Sequence, residues 1–230
     1  MRLSRRVVLA AGATLAAPAL AQTPARCAGP VYLTIDTGWS REAEEIAAIL
    51  RRHRVRATLF VANEPTFRGD WTLGESWAPF WRARAGEGHV FASHTWRHWY
   101  FRGDPAPGRV TYVSRRSGEG SETLDASSLW RAPGGITTPN AVRLAARCGL
   151  RHQGWTRNGF LGDELDSGQH PNSALLRRNL ANIRAGEVLV MHWGVRSRRE
   201  PFAGIMEELV TGLLARGFCF ETLPSEGISV

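Results

Sequence analysis

The sequence predicts an α/β fold, with parallel strands covered by helices as an α/β barrel or an open doubly wound sheet. Two observations carry this. From residue 31 onward, short apolar runs alternate with helical patterns, and no internal repeat or low-complexity segment interrupts them. Polar residues able to do chemistry fall just past several of the apolar runs, where parallel α/β folds meet their ligands.

The elements follow in order. Residues 31–36 read as a strand. Ser40 can cap a helix whose apolar positions Ala43, Ile46, Ala47 and Leu50 fall at i, i+3, i+4, i+7, with acids in its first turns. Residues 56–62 and 89–93 are a second and a third strand. Thr138-Pro139 opens a helix that Gly149 closes, and residues 150–156 are the strand after it. A helix through Leu176, Leu180 and Ile183 ends at Gly186 and leads into a strand over 187–191. The last helix runs from Pro201 to Gly217, followed by a strand over 218–223. Residues 102–127, rich in Gly, Pro, Ser and Arg, break this rhythm. So long a connection is either a functional surface loop or a poorly ordered excursion.

The N-terminus is a separate object. Residues 1–21 open with three arginines, continue in an apolar run too short to span a bilayer, and end on small residues at Ala19 and Ala21. That is the pattern of an export signal, and Ser4-Arg5-Arg6-Val7-Val8-Leu9 resembles the twin-arginine type. The expectation is a leader over 1–21, one catalytic domain over 22–230, a periplasmic or extracellular destination, and no transmembrane span once the leader is removed. The alternative is an uncleaved N-terminal anchor.

Composition narrows the class. With 230 residues and 43% hydrophobic content, the chain can bury enough surface to fold as one globular domain, which excludes a disordered polymer. The absence of repeated long apolar stretches excludes a polytopic membrane protein. The formal charge is +8, and all 29 basic residues are arginine. This bias fits anion or nucleic-acid recognition, or a coding preference. The arginines are spread along the chain and form no tract, so nucleic acid is not the expected partner. Three cysteines are an odd number, so at least one thiol stays free or pairs between chains, and Cys148 and Cys219 read as small core residues.

The candidate site collects at the strand ends: Asp36-Thr37-Gly38 after the first strand, His94 to His98 after the third, Arg131 before the helix at 138, and His192 after the strand at 187–191. His94 and His98 have the four-residue spacing that aims two imidazoles the same way from one helical turn, the geometry of two ligands on Zn²⁺ or a related divalent ion. Asp36 is either a turn cap or a general base or metal ligand. Arg131 either pairs with Asp36 and keeps it ionised or binds loop carbonyls. Trp39, Trp96, Trp155 and Trp193 flank these residues and are candidates to stack on sugar rings.

The set Thr34-Ile35-Asp36-Thr37-Gly38, Ser93-His94-Thr95-Trp96-Arg97-His98, Arg131-Ala132-Pro133-Gly134-Gly135 and Leu189-Val190-Met191-His192 resembles the polysaccharide deacetylases with a NodB homology domain (carbohydrate esterase family four). The resemblance covers about residues 31–223 and keeps these motifs in the family's order. It implies a distorted (β/α) barrel and metal-dependent removal of acetyl from an N-acetylated or O-acetylated polysaccharide, a cell-wall or exopolysaccharide. It further implies that His94 and His98 hold the metal, usually zinc, with cobalt, nickel or manganese as alternatives. Asp36 would be the general base toward the attacking water, Arg131 would orient Asp36, and His192 would be the general acid toward the leaving amine.

Three departures accompany the resemblance. Thr37 stands where the family has its second Asp, the third metal ligand. The family's acid-orienting Asp is missing from the Trp155-Thr156-Arg157-Asn158 motif, and Asp163 is the nearby substitute. No helix is visible between His98 and Arg131, so the barrel is expected to lack one. These departures leave a second expectation open, a catalytically silent glycan-binding protein that has lost its third metal ligand.

Overall fold

A computed structural model describes residues 27–113 and 128–230; the leader expected over 1–21 lies outside the described residues, as does 114–127. The first strand, β1 (Gly29–Asp36), is the centre of the architecture. It alternates as a strand must: Val31, Leu33 and Ile35 join the large apolar cluster under the helices, while Thr34 and Asp36 take the opposite face.

The helix α1 (Ala43–Arg52) follows, with Glu44 and Glu45 in its first turn and Arg51 and Arg52 in its last, the arrangement the helix dipole favours. Its buried Ala43, Ile46, Ala47 and Leu50 are the stripe expected from spacing. The expected Ser40 cap is corrected. Ser40 takes a left-handed φ of 57° and donates its hydroxyl to the Gly38 carbonyl, and Glu42 occupies the cap position. The Glu42 carboxylate instead accepts from the Ala203 amide at 2.7 Å, tying the start of α1 to the turn at 202–205.

Next come β2 (Thr58–Val61), the helix α2 (Ala78–Gly86) and β3 (Val90–Ser93). The irregular stretch then contains, in its described part, an antiparallel hairpin of β4 (Tyr100–Gly103) and β5 (Thr111–Val113), outside the main sheet. After it lie β6 (Leu129–Trp130) and α3 (Pro139–Arg147), whose Thr138 hydroxyl caps the Ala141 amide. The remaining elements are β7 (Arg151–His152), α4 (Asn172–Asn182), β8 (Val188–His192), α5 (Met206–Ala215) and β9 (Phe218–Phe220).

The main sheet is parallel throughout, in the order β7-β6-β3-β2-β1-β8. β1 is shared: its first residues pair with β9 and its last five with β8. β7 is shorter than the strand expected over 150–156, because the chain leaves β6 after Gln153 and crosses to β8. Gln153 N still donates to the Trp130 carbonyl, whereas Thr156 N donates to Val188 O and Val190 N to Gly159 O. Residues 151–161 therefore run from one side of the sheet to the other. Gly159 is required there, since a Cβ would stand 1.9 Å from the Val188 carbonyl oxygen.

Helices pack on one face around Ile46, Leu50, Leu59, Leu189, Leu209 and Leu213. Truncating any such leucine to alanine costs about 2–5 kcal/mol. The opposite face holds only a small apolar cluster of Phe60, Ala92, Leu129, Val188 and Leu223. It is this less apolar face that carries Asp36. Among the described residues no helix is long and apolar enough to cross a membrane.

The cysteine expectation is corrected. Cys219 is no core thiol: it forms a disulfide with Cys27, fastening the entrance of β1 to β9. Cys148, at the C-terminal cap of α3, is free and exposed.

Candidate active site

In-register parallel strands end at the same level, and that places the site. Asp36 pairs in register with Phe60 on β2 and with His192 on β8. Ser93 at the end of β3 pairs with Trp130 on β6, so the next residues, His94 and Arg131, emerge together. His94 N donates to the Val61 carbonyl and Arg131 N to the Ser93 carbonyl, continuing the ladder past the strands. Asp36, His94, Arg131 and His192 thus meet at one edge of the sheet.

Asp36 and Arg131 form a buried pair. Arg131 Nη1 donates to Asp36 Oδ1 at 2.7 Å and to Thr34 Oγ1 at 2.8 Å. Its Nε and Nη2 donate to the carbonyls of Gln153 and Gly154, and the guanidinium lies over the Phe60 ring at 4.0 Å. Burial alone would raise the Asp36 carboxyl; the positive charge of Arg131, joined by that of His192, outweighs it and holds the carboxyl below its ordinary value. Asp36 is therefore an ionised carboxylate inside the fold.

His94 is buried, and its Nδ1 lies 3.0 Å from the Arg131 carbonyl. A carbonyl can only accept, so Nδ1 carries the proton and the Nε2 lone pair is left toward Asp36 Oδ2, 3.5 Å away. Burial drives its pKa down to about 4 against the opposing charges of Asp36 and Glu64, which keeps the ring neutral. The His98 ring lies 4.7 Å from it, centroid to centroid. The helical turn expected for this pair is corrected: residues 94–99 form no helix, and left-handed φ values at Thr95 and His98 fold the loop so that the rings meet.

Asp163 sits beneath His192. Its Oδ2 accepts from the His192 backbone N at 2.7 Å and lies 3.0 Å from Nδ1. Burial lowers the affinity of His192 for a proton, but the charges of Asp163, Asp36 and Glu164 prevail and push its pKa up to about 10. The imidazolium is the form present at neutral pH.

Thr37 is fully buried, and its hydroxyl donates to Glu64 Oε1 at 2.5 Å. The Gly38 amide donates to the same oxygen at 2.7 Å. Gly38 is required in this turn: its φ is 73°, and a Cβ would press on the Gly194 carbonyl at 3.0 Å.

Above these groups opens a cleft of about 1080 Å³, whose walls include His98, His192, Glu64, Trp39, Trp71 and Trp99. Of the tryptophans expected to face a sugar, Trp39 lines this cleft, with Arg196 over its ring at 4.8 Å. Trp96 lines a smaller neighbouring pocket. Trp155 is half-buried, near the Arg131 guanidinium and against Gly135. Trp193 is corrected: it is fully buried, packed edge-on against Phe80 and Trp81, because a strand's next residue points to the opposite face from His192. Sequence reasoning passed over Glu64 and Trp71. Glu64 follows β2 as Asp36 ends β1, and the strand-end rule applied to β2 finds it. Trp71 sits in a loop with no periodic signal.

Among the described residues, no three His, Cys, Asp or Glu side chains are already gathered as a metal cluster. The donors nevertheless suit a divalent ion. His94 has its tautomer fixed by a carbonyl, as metal-bound imidazoles do, and His98 lies against it.

A parallel-sheet fold with an ionised carboxylate, paired histidines and a protonated histidine at one strand edge defines a hydrolase-type α/β site. The profile of the family described as polysaccharide deacetylase matches residues 24–152, and the chain belongs to that family. It is 24% identical over 208 residues to a chitooligosaccharide deacetylase of Azorhizobium caulinodans, covering 84% of this chain and 92% of the relative. Its fold is similar to that of a family 4 carbohydrate esterase from Streptomyces lividans solved with acetate, with TM-score 0.62, 19% identity, and 89% and 98% of the two chains covered. It is also similar to a family pseudoenzyme from Bacillus anthracis, with TM-score 0.53, 17% identity, and 86% and 64% coverage.

Proposed function

We propose that this polysaccharide deacetylase hydrolyses acetamido groups on a glycan, releasing acetate and a free amine, with the help of a divalent ion. The observation that carries the reading is the opposition of two proton sites across one edge of the sheet. Asp36 is held ionised by Arg131, and His192 is held protonated by Asp163. Environments that push two groups' pKa values apart assign the base and the acid.

His94 and His98 would hold the ion, zinc by the preference of imidazole donors, with cobalt, nickel or manganese accepting the same set. When bound, it polarises the acetyl carbonyl and acidifies water beside it. Asp36 takes a proton from the attacking water as the oxygen joins the carbonyl carbon. His192 gives its Nε2 proton to the amide nitrogen as the carbon–nitrogen bond breaks, and the amine and acetate leave. Arg131 and Asp163 keep the two groups in place and in the right protonation state. The tryptophans of the cleft supply faces on which sugar rings stack, which suits a cell-wall or exopolysaccharide substrate. The same motif with an ester oxygen as leaving group describes an O-acetylated substrate.

An exported, periplasmic or extracellular protein fits the leader over 1–21 and is supported by the Cys27–Cys219 bond, which persists in an oxidising compartment. A second reading, a catalytically silent glycan-binding protein, is favoured by Thr37 at the position of the family's third ligand. Acetate release from N-acetylated chitooligosaccharides, measured with and without Zn²⁺ or Co²⁺, separates the two. Release that depends on the ion and disappears in His94→Ala supports the enzyme. No acetate under any condition overturns it.

A further inference from the structure

We infer that Glu64 supplies the carboxylate that Thr37 lacks, so that the metal centre of this chain is His94, His98 and Glu64. The inference rests on the metal-dependent reading above and concerns which residue completes it.

The geometry points to Glu64 from several sides. One carboxylate oxygen of Glu64 is pinned by the Thr37 hydroxyl at 2.5 Å and the Gly38 amide at 2.7 Å, so the charge lies at the very turn whose own side chain is neutral. Its backbone is fixed as well, with Glu64 N donating to Thr72 Oγ1 and the Glu64 carbonyl accepting from Thr72 N. Oε2 takes no hydrogen bond from the described residues. Glu64 and His98 both line the cleft, and Glu64 is close enough for its charge to act on the buried His94 ring.

The other carboxylates of the site are already matched. Asp36 is answered by Arg131 and Asp163 by His192, while Glu164, the other carboxylate lining the cleft, lies 3.8 Å from His192 Nε2. Glu64 is half-buried and has no ion-pair partner among the described residues. A carboxylate held by two donors, lining the same cleft as His98 and lacking a cation among the described residues, is a ligand suited to a hard or borderline divalent ion. Glutamate has one more methylene than aspartate and starts from β2 instead of β1, so a longer side chain from the neighbouring strand covers the position of a shorter one. The Thr37 hydroxyl then orients the ligand's first oxygen and leaves the second for the ion, the usual division between a ligand and the group that steadies it.

The test is Co²⁺ binding by the purified protein, followed by visible absorption and equilibrium dialysis. Glu64→Gln keeps an oxygen to accept from Thr37 and Gly38, and its melting curve without metal checks that it folds. The expected result is a loss of Co²⁺ affinity of about tenfold or more with a changed absorption band. Thr37→Asp, which leaves Glu64 untouched, is expected to leave affinity unchanged or lower, since a carboxylate is already present. Adding Thr37→Asp to Glu64→Gln is expected to restore binding. Wild-type affinity and spectrum in Glu64→Gln, or a gain of about tenfold or more from Thr37→Asp alone, overturn the inference. So does a wild-type protein that binds no ion. Acetate release is scored separately. Ion binding through Glu64 without any release overturns the deacetylase reading alone, whereas release with normal ion binding in Glu64→Gln overturns the Glu64 assignment alone.

Discussion

Arg131 Nη1 stands 2.7 Å from Asp36 Oδ1, and both side chains are sealed from solvent. Every other donor direction of that guanidinium named above ends on Thr34, Gln153 or Gly154, so the arginine is fixed before it meets the carboxylate. Replacing it by methionine keeps much of the volume and leaves a buried carboxylate without a counter-charge. Arg131→Met is expected to cost about 3–5 kcal/mol in urea denaturation and to abolish turnover. A loss below about 1 kcal/mol would show that Asp36 is solvated and the pair unimportant.

His192 owes its raised pKa to Asp163, and the sign of the effect on stability follows. The folded pKa, about 10, lies above the ordinary 6.5, so the pair's stabilisation is complete below pH 6.5 and disappears as pH rises through about 10. Asp163→Asn removes the charge and keeps the shape. The alkaline limb of kcat/KM against pH is expected to move toward neutrality by at least about one pH unit, with the acid limb unmoved. An unshifted alkaline limb would mean that His192 is not the proton donor.

The Cys27–Cys219 bond closes a loop of nearly the whole described chain, with a sequence separation of 192. Its loss frees the start of β1 from β9 in the folded state and releases a very long loop in the unfolded one. In a Cys148→Ser background, which removes the exposed thiol, reduction is expected to lower stability by about 2–5 kcal/mol. Denaturant curves with and without reductant measure it, and coincident curves would rule the bond out as a source of stability.

Tryptophans near the site divide by exposure. Trp39→Ala and Trp71→Ala, at the cleft wall, are expected to raise KM about three- to tenfold, the worth of one ring stack, with little change in melting temperature. Trp193→Ala is expected to behave in the opposite way, destabilising by about 3–5 kcal/mol because a fully buried ring leaves a cavity. A KM effect confined to Trp193→Ala would overturn this division.

Much of this site is legible in the sequence because strands announce where they end. Asp36, His94, Arg131 and His192 each follow an apolar run, and parallel pairing does the rest. The pairing of β1 with both β8 and β9 is a tertiary outcome without a local signature, so the cysteine partner was hidden. The His94–His98 spacing suggested a helix because spacing carries no φ angles; two left-handed residues bring the rings together instead. Trp193 was misplaced for want of strand phase: once His192 faces the cleft, alternation sends the next side chain into the core. Glu64 was legible in principle and overlooked because its strand ends three residues earlier and Pro65 follows it.

The crossing segment at 151–161 has a mechanical meaning. Its early carbonyls, on Gln153 and Gly154, grip Arg131, the partner of Asp36, and two residues beyond it Asp163 grips His192. One short length of backbone therefore acts as a ruler between Arg131 with its carboxylate and His192. Lengthening that ruler by a single residue would detune both ends at once. The hairpin of β4 and β5 stands outside that ruler, but its Tyr100 packs edge-on against His98 and lines the cleft, so a change there reaches the histidine side of the site while the ruler keeps its length.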